Sequence, residues 1–162
     1  MNIQSQDRTT LLSAGVYLGS LFVSFVWFLL FPLDLQEQVL FFPDTVSGRL
    51  RGEVRLLPKQ DQETEEVAIM IDQLLLGPTG IQSTRLMPRG VKRESTMISG
   101  DVAYADLSIE AAIFEGDIPL EDALFAIEKS ILYNFRRLST VVITIGGQVP
   151  FEPAYENFQN SL

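Results

Sequence analysis

The chain of 162 residues carries 21 acidic side chains against 12 basic ones, with no histidine and no cysteine, giving a net charge of −9 near neutrality. That balance argues against nucleic acid, which is gripped through clustered lysine and arginine, and against a domain lying flat on an anionic lipid surface. Without histidine or cysteine the chain lacks the commonest general base, the commonest metal ligand, a disulfide staple and a switch centred near neutral pH.

Residues 11–31 read LLSAGVYLGSLFVSFVWFLLF, a stretch without one charge. At about 1.5 Å per residue it predicts a helix of roughly 31 Å, close to the thickness of a bilayer's hydrocarbon core. A helix buried in a small soluble domain keeps a polar face, and this stretch has none. A cleaved secretory signal is the competing reading, but its apolar region runs to about 7–15 residues and ends on small side chains. Here Phe31, Pro32 and Leu33 stand where small residues are wanted. The segment is therefore expected to stay as an uncleaved, single-pass signal anchor of the cell membrane. Arg8 and the amino terminus precede it; Asp34 and Glu37 follow, with no base until Arg49. The positive-inside tendency then places residues 1–10 in the cytoplasm as a short N-terminus and the main domain outside. Trp27 near the outer end suits an interfacial indole.

After a linker at 32–38, enough chain remains for one ordinary domain and too little for two. Val39, Leu40, Phe41 and Phe42, stopped by Pro43, predict a buried strand. A turn at 45–48 leads to a second strand at 53–57, ended by Pro58, and the two are expected to pair or lie near one another. Residues 63–76 are the clearest helix: Val67, Met70, Ile71, Leu74 and Leu75 form one apolar stripe. Glu63, Glu65 and Glu66 crowd its positive end, and Gly77-Pro78 closes it. Residues 91–99 and 102–107, joined by Gly100-Asp101, read as a hairpin. A second helix is predicted over 119–135, with Leu120, Leu124, Ile127, Ile131 and Phe135 along one face and Arg136 and Arg137 at its negative end. The β-branched run 140–145 predicts a last strand, and 149–162 is expected to be an irregular tail. The expected fold is a small two-layer α+β sandwich: two amphipathic helices on one small sheet of about four to five short strands, preceded by a transmembrane helix.

Several short pieces occur in a specific order: Leu40-Phe41-Phe42-Pro43-Asp44, Leu74-Leu75-Leu76-Gly77-Pro78, Met87-Pro88-Arg89-Gly90, Ala103-Tyr104-Ala105-Asp106-Leu107-Ser108 and Val142-Ile143-Thr144-Ile145-Gly146-Gly147-Gln148. On these pieces, residues 39–148 resemble the sporulation and spore germination domain, GerMN. The resemblance implies a compact α/β domain, exported and tethered by a lipid or an anchor helix, and associated with spore envelopes. Similar domains also occur in bacteria that do not sporulate. It further implies a fold similar to the ring-building motifs of secretion and sporulation complexes, which are non-enzymatic assembly modules. This sequence carries one copy where sporulation members can carry two, and a membrane helix in place of a lipid-bearing cysteine.

Chemistry-bearing residues are sparse. Asp106 and Ser108 follow a strand, where both residue types hold an exit turn through side-chain to backbone bonds. A nucleophilic serine needs a base, and none stands at a recognisable spacing from Ser108. Asp44, Glu53, Asp61, Asp101, Asp106 and Asp117 offer hard oxygens to calcium, but no EF-hand pattern is present and zinc is disfavoured without Cys or His. Solvated carboxylates are the plainer reading. Arg136-Arg137 reads as a capping pair, and Phe125, Tyr133 and Phe135 as core or rim. No catalytic, metal or cofactor site and no cofactor is expected, and the chain is not expected to be an enzyme. Its expected partners are the bilayer, through 11–31, and envelope proteins or a second copy, with no nucleic acid. The alternative is an envelope-polymer or small-ligand domain whose groove lies among the loops 47–52, 79–90 and 108–117.

Overall fold

The computed structural model describes residues 4–30, 34–113 and 115–151, and among the first of these the side chains of 13, 15–27, 29 and 30. It divides into two compact units, Met1–Asp34 and Leu35–Leu162.

The first unit contains one helix, α1 (Gln4–Leu30). Val16, Leu18, Leu21, Phe22, Val23 and Phe25 are 60–72% exposed. Successive side chains point in different directions round a helix, so its apolar surface is not confined to one stripe. Ser20 donates its hydroxyl to the Tyr17 carbonyl at 3.2 Å, which satisfies a polar group against the helix's own backbone. On the described side chains alone, no helix is long and apolar enough to cross a membrane; the bilayer assignment of 11–31 rests on the sequence.

The second unit runs β1 (Leu35–Pro43), β2 (Leu50–Pro58), α2 (Glu63–Leu76), β3 (Arg93–Ser99), β4 (Val102–Leu107), α3 (Glu110–Ile113), α4 (Leu120–Asn134) and β5 (Thr140–Ile145). It is α+β, as expected, with five strands among the described residues. They form two sheets, however, and not one: an antiparallel β1-β2 hairpin and a separate β3-β4-β5 sheet. In the hairpin Val39 faces Val54; in the larger sheet Thr96 faces Ala105 antiparallel, and Ala105 faces Ile143 in parallel.

The sheets stay apart because side chains, not a strand, occupy the outer edge of β1. Asn134 of α4 accepts from the Val39 amide at 2.9 Å and donates to the Val39 carbonyl at 2.7 Å. The Ser130 hydroxyl accepts from the Phe41 amide at 2.9 Å and donates to the Ala126 carbonyl at 2.7 Å. An open strand edge is thus closed by a helix. This requirement also turns α4 from its predicted orientation. It buries Ala123, Ala126, Ile127, Ser130 and Ile131, while Leu120 and Leu124 of the predicted stripe are only partly buried. Small residues on that face let the helix approach the strand closely.

Helix α2 spans the predicted 63–76 and buries all five stripe residues. Its last carbonyls, unpaired within the helix, are met by Arg85, which donates to Leu75 and Leu76. Gly77 ends the helix at φ +92°, and a Cβ there would lie 2.6 Å from the Arg85 guanidinium. β1 and β2 both outrun their apolar cores, since their ends are carried by ladder pairing as well as burial. The short helix α3 lies in what reads from sequence as a loop. Among the described residues every core residue, from Leu40 to Ile145, belongs to this second unit.

Candidate functional site

Asp106 and Ser108 act as structural posts. The Asp106 carboxylate accepts from the Thr144 hydroxyl at 2.6 Å and the Gly147 amide at 2.9 Å. It therefore holds the turn after β5 across the sheet, where its own exit turn was expected. Ser108 is buried, and its hydroxyl accepts from the Lys92 amide at 3.1 Å while its amide donates to the Lys92 carbonyl at 2.8 Å. A bond between Ser108 and the Glu110 carboxylate holds the Glu110 pKa below its ordinary value.

The other carboxylates brace loops too. Asp44 accepts from the Val46 amide at 3.0 Å, the Ser47 amide at 2.9 Å and the Ser47 hydroxyl at 3.1 Å, closing the turn between β1 and β2. The Ser47 and Val46 amides lower its pKa. Burial acts to raise the Glu53 pKa, but bonds from Thr79 and Arg55 outweigh it and the value falls. Asp101 takes a bond from the Ser139 hydroxyl, which lowers its pKa. Among the described residues no three acidic groups converge as a metal would need.

Arginines complete the bracing. Arg55 reaches from β2 to the Gln73 and Gly77 carbonyls, at 3.2 and 2.7 Å, with its guanidinium 5.5 Å above the Phe42 ring centre. The alternation along β2 could have revealed it, since Glu53 and Arg55 share a face with buried Leu57. Arg137 does not cap α4; it pairs with Glu63 at the start of α2. Of the three aromatics, Phe135 is core, whereas Phe125 and Tyr133 are exposed. Tyr133 meets the Phe41 ring edge-on at 5.3 Å.

The predicted loops do meet. Thr45 donates to the Gln82 carbonyl at 2.9 Å, Thr84 to that of Pro43 at 2.8 Å, and Arg51 to the Gln82 side chain at 2.8 Å. A groove of about 380 Å³ results, lined by Arg51, Glu53, Thr79, Ile81 and Gln82 among others. Residues of 79–90 and 108–117 line a second groove of about 440 Å³, with Met87, Pro88, Ala111 and Glu115 in its wall. Phe114, the aromatic of the third loop, lies outside the described residues.

These elements define a small α+β domain whose charged side chains brace its loops. The family model for sporulation and spore germination, Germane, matches residues 39–150, and the chain belongs to that family. The tandem GerMN domains of the sporulation protein GerM from Bacillus subtilis superpose with a TM-score of 0.60 at 18% identity, covering 75% of this chain and 43% of that one. The first GerMN domain of the same protein gives a TM-score of 0.56 at 16% identity, covering 70% of this chain and 85% of that one. The chain thus spans less than half of the tandem structure, and at these identities the likeness is one of fold. No curated protein matches the chain.

Proposed function

We propose that this chain is a membrane-anchored, extracytoplasmic interaction module of the bacterial envelope, non-enzymatic, which assembles with copies of itself or docks onto an envelope complex. The observation that carries this reading is apolar surface left uncovered on the packed domain. Val54 and Leu56 on the outer face of the hairpin are 61% and 62% exposed, and Phe125 and Tyr133 on α4 are 56% and 53% exposed. Large apolar side chains grouped on a surface mark contact with a partner. The charge-free stretch 11–31 supports a tether, with the cytoplasmic N-terminus set by the charges around it. Membership of the family supports a role in sporulation or germination. Tethering adds to any weak contact by concentrating copies on one surface.

The test is cross-linking of the full-length protein in membranes, with an alkaline carbonate wash and sedimentation of the detergent-solubilised chain across a concentration series. Retention in the membrane with concentration-dependent oligomers is expected. Release by the wash would refute the anchor, and a strict monomer in both settings would refute self-assembly. The groove at Arg51 and Gln82 favours a second reading, a site for an envelope polymer or small polar ligand. Binding to cell-wall material without self-association would select it.

A further inference from the structure

The chain is acidic overall, yet the surface that follows α2 is not. A groove of about 620 Å³ is lined by Arg85, Arg89, Lys92 and Arg93 against a single acid, Asp72. Four positive charges against one negative leave +3 there on a chain of −9. Two of the cations are committed: Arg85 to the carbonyls ending α2, and Arg93 to Asp72 through two bonds of 3.0 and 2.9 Å. Arg89 and Lys92 are exposed and form no salt bridge among the described residues, although the Lys92 charge also acts on Glu110 and helps to lower its pKa. The floor is apolar, and Leu76 is 65% exposed.

A groove of about 590 Å³ with the opposite character lies between the β1-β2 turn and the start of α4. Asp44, Asp117 and Asp122 line it with no basic residue, beside the exposed side chains of Val46 and Phe125. Here too one charge is committed, Asp44 to its turn, while Asp117 and Asp122 are exposed and unpaired among the described residues. No residue lines both grooves.

We infer that the cationic groove is the docking surface for a second copy of this chain, received through the copy's Asp117 and Asp122 face. Two molecules of charge −9 repel at most approaches, and the cationic groove is where an acidic neighbour is drawn in. Opposite sign and an exposed apolar residue beside each make the two faces electrostatically complementary. A long polyanion fits less well, since the rest of the surface would repel it. A two-fold pair makes both contacts at once and closes as a dimer; a head-to-tail arrangement makes one per neighbour and continues as a chain or ring. This inference rests on the self-assembly reading.

The chain's lack of cysteine allows a direct test on full-length protein in membranes. Two differently tagged single-cysteine variants, Lys92→Cys and Asp122→Cys, are co-expressed and treated with a short bis-maleimide. A hetero-cross-link is expected in the mixture and little product from either variant alone, with yield falling about tenfold between low and high salt as screening sets in. Charge reversal supplies the second arm. Arg89→Glu with Lys92→Glu should abolish association, as should Asp117→Lys with Asp122→Lys, and mixing the two doubly reversed chains should restore it. All four side chains are exposed and none forms a salt bridge among the described residues, and the Lys92 bonds to Ser108 are made by its backbone, so the variants should fold. Wild-type oligomers unchanged by both reversals would overturn this inference and leave self-assembly standing. A wild-type monomer would overturn both.

Discussion

Ser130 offers the sharpest test of how the hairpin is held. Its hydroxyl is fully buried and accepts from the Phe41 amide at 2.9 Å. Ser130→Ala leaves that amide without an acceptor, at about 1–3 kcal/mol, and regains roughly 0.5 kcal/mol of helix propensity. The net loss should be about 1.5 kcal/mol. For a domain of this size that lowers the melting temperature by roughly 5–7 °C. Denaturant titration of the second unit, which contains the whole core, measures the loss. Amide hydrogen exchange locates it: protection at Phe41 should fall while that of β4 is retained. The small void left by a serine hydroxyl has no reason to expose one particular amide on another element. A variant with unchanged midpoint and undiminished protection at Phe41 would refute the edge-closing role.

Leu74→Asp places an uncompensated charge at a position with no exposure, and should cost about 4 kcal/mol or more and unfold the domain; a soluble variant with unchanged melting would contradict the packing of α2. Stability should be nearly flat from about pH 5.5 to 8, because the chain has no histidine, and should fall in acid. Asp44, Glu53, Asp101 and Glu110 all have pKa values lowered by folding. The unfolded state therefore binds protons first, and the stability these groups contribute is present above their ordinary range and drains away as pH drops through about 4. A thermal midpoint that falls between pH 7 and 5.5 would count against this assignment.

The elements legible in the sequence were those whose signals are local. Helix α2 carries its acidic start, its apolar stripe and its Gly77-Pro78 stop within sixteen residues, and the structure begins and ends it at the predicted 63 and 76. Strand β5 is a β-branched run ended by Gly146 and Gly147 and also matches. The division into two sheets was not legible. It depends on Ser130 and Asn134, polar residues of a helix that pattern alone assigns to the solvent side, meeting amides 89 and 95 residues away. Arg85 as a cap for α2 and Asp106 as a tie to the β5 turn are hidden for the same reason, since nothing near them names the partner. The oppositely charged grooves are assembled from separate segments, and net charge conceals them by summing over both.

The closing of the β1 edge by α4 bears on the order in which the chain can become safe from aggregation. β1 and β2 pair across at most 23 positions, Leu35 with Pro58, so the hairpin can form as soon as those residues leave the ribosome. Its edge stays bare until Asn134 arrives, by which point nearly all the domain has been made. A bare edge can recruit a neighbouring strand. During synthesis this protein therefore passes through an interval with a finished hairpin and no cover for it, and a chaperone that shields extended segments would matter most there.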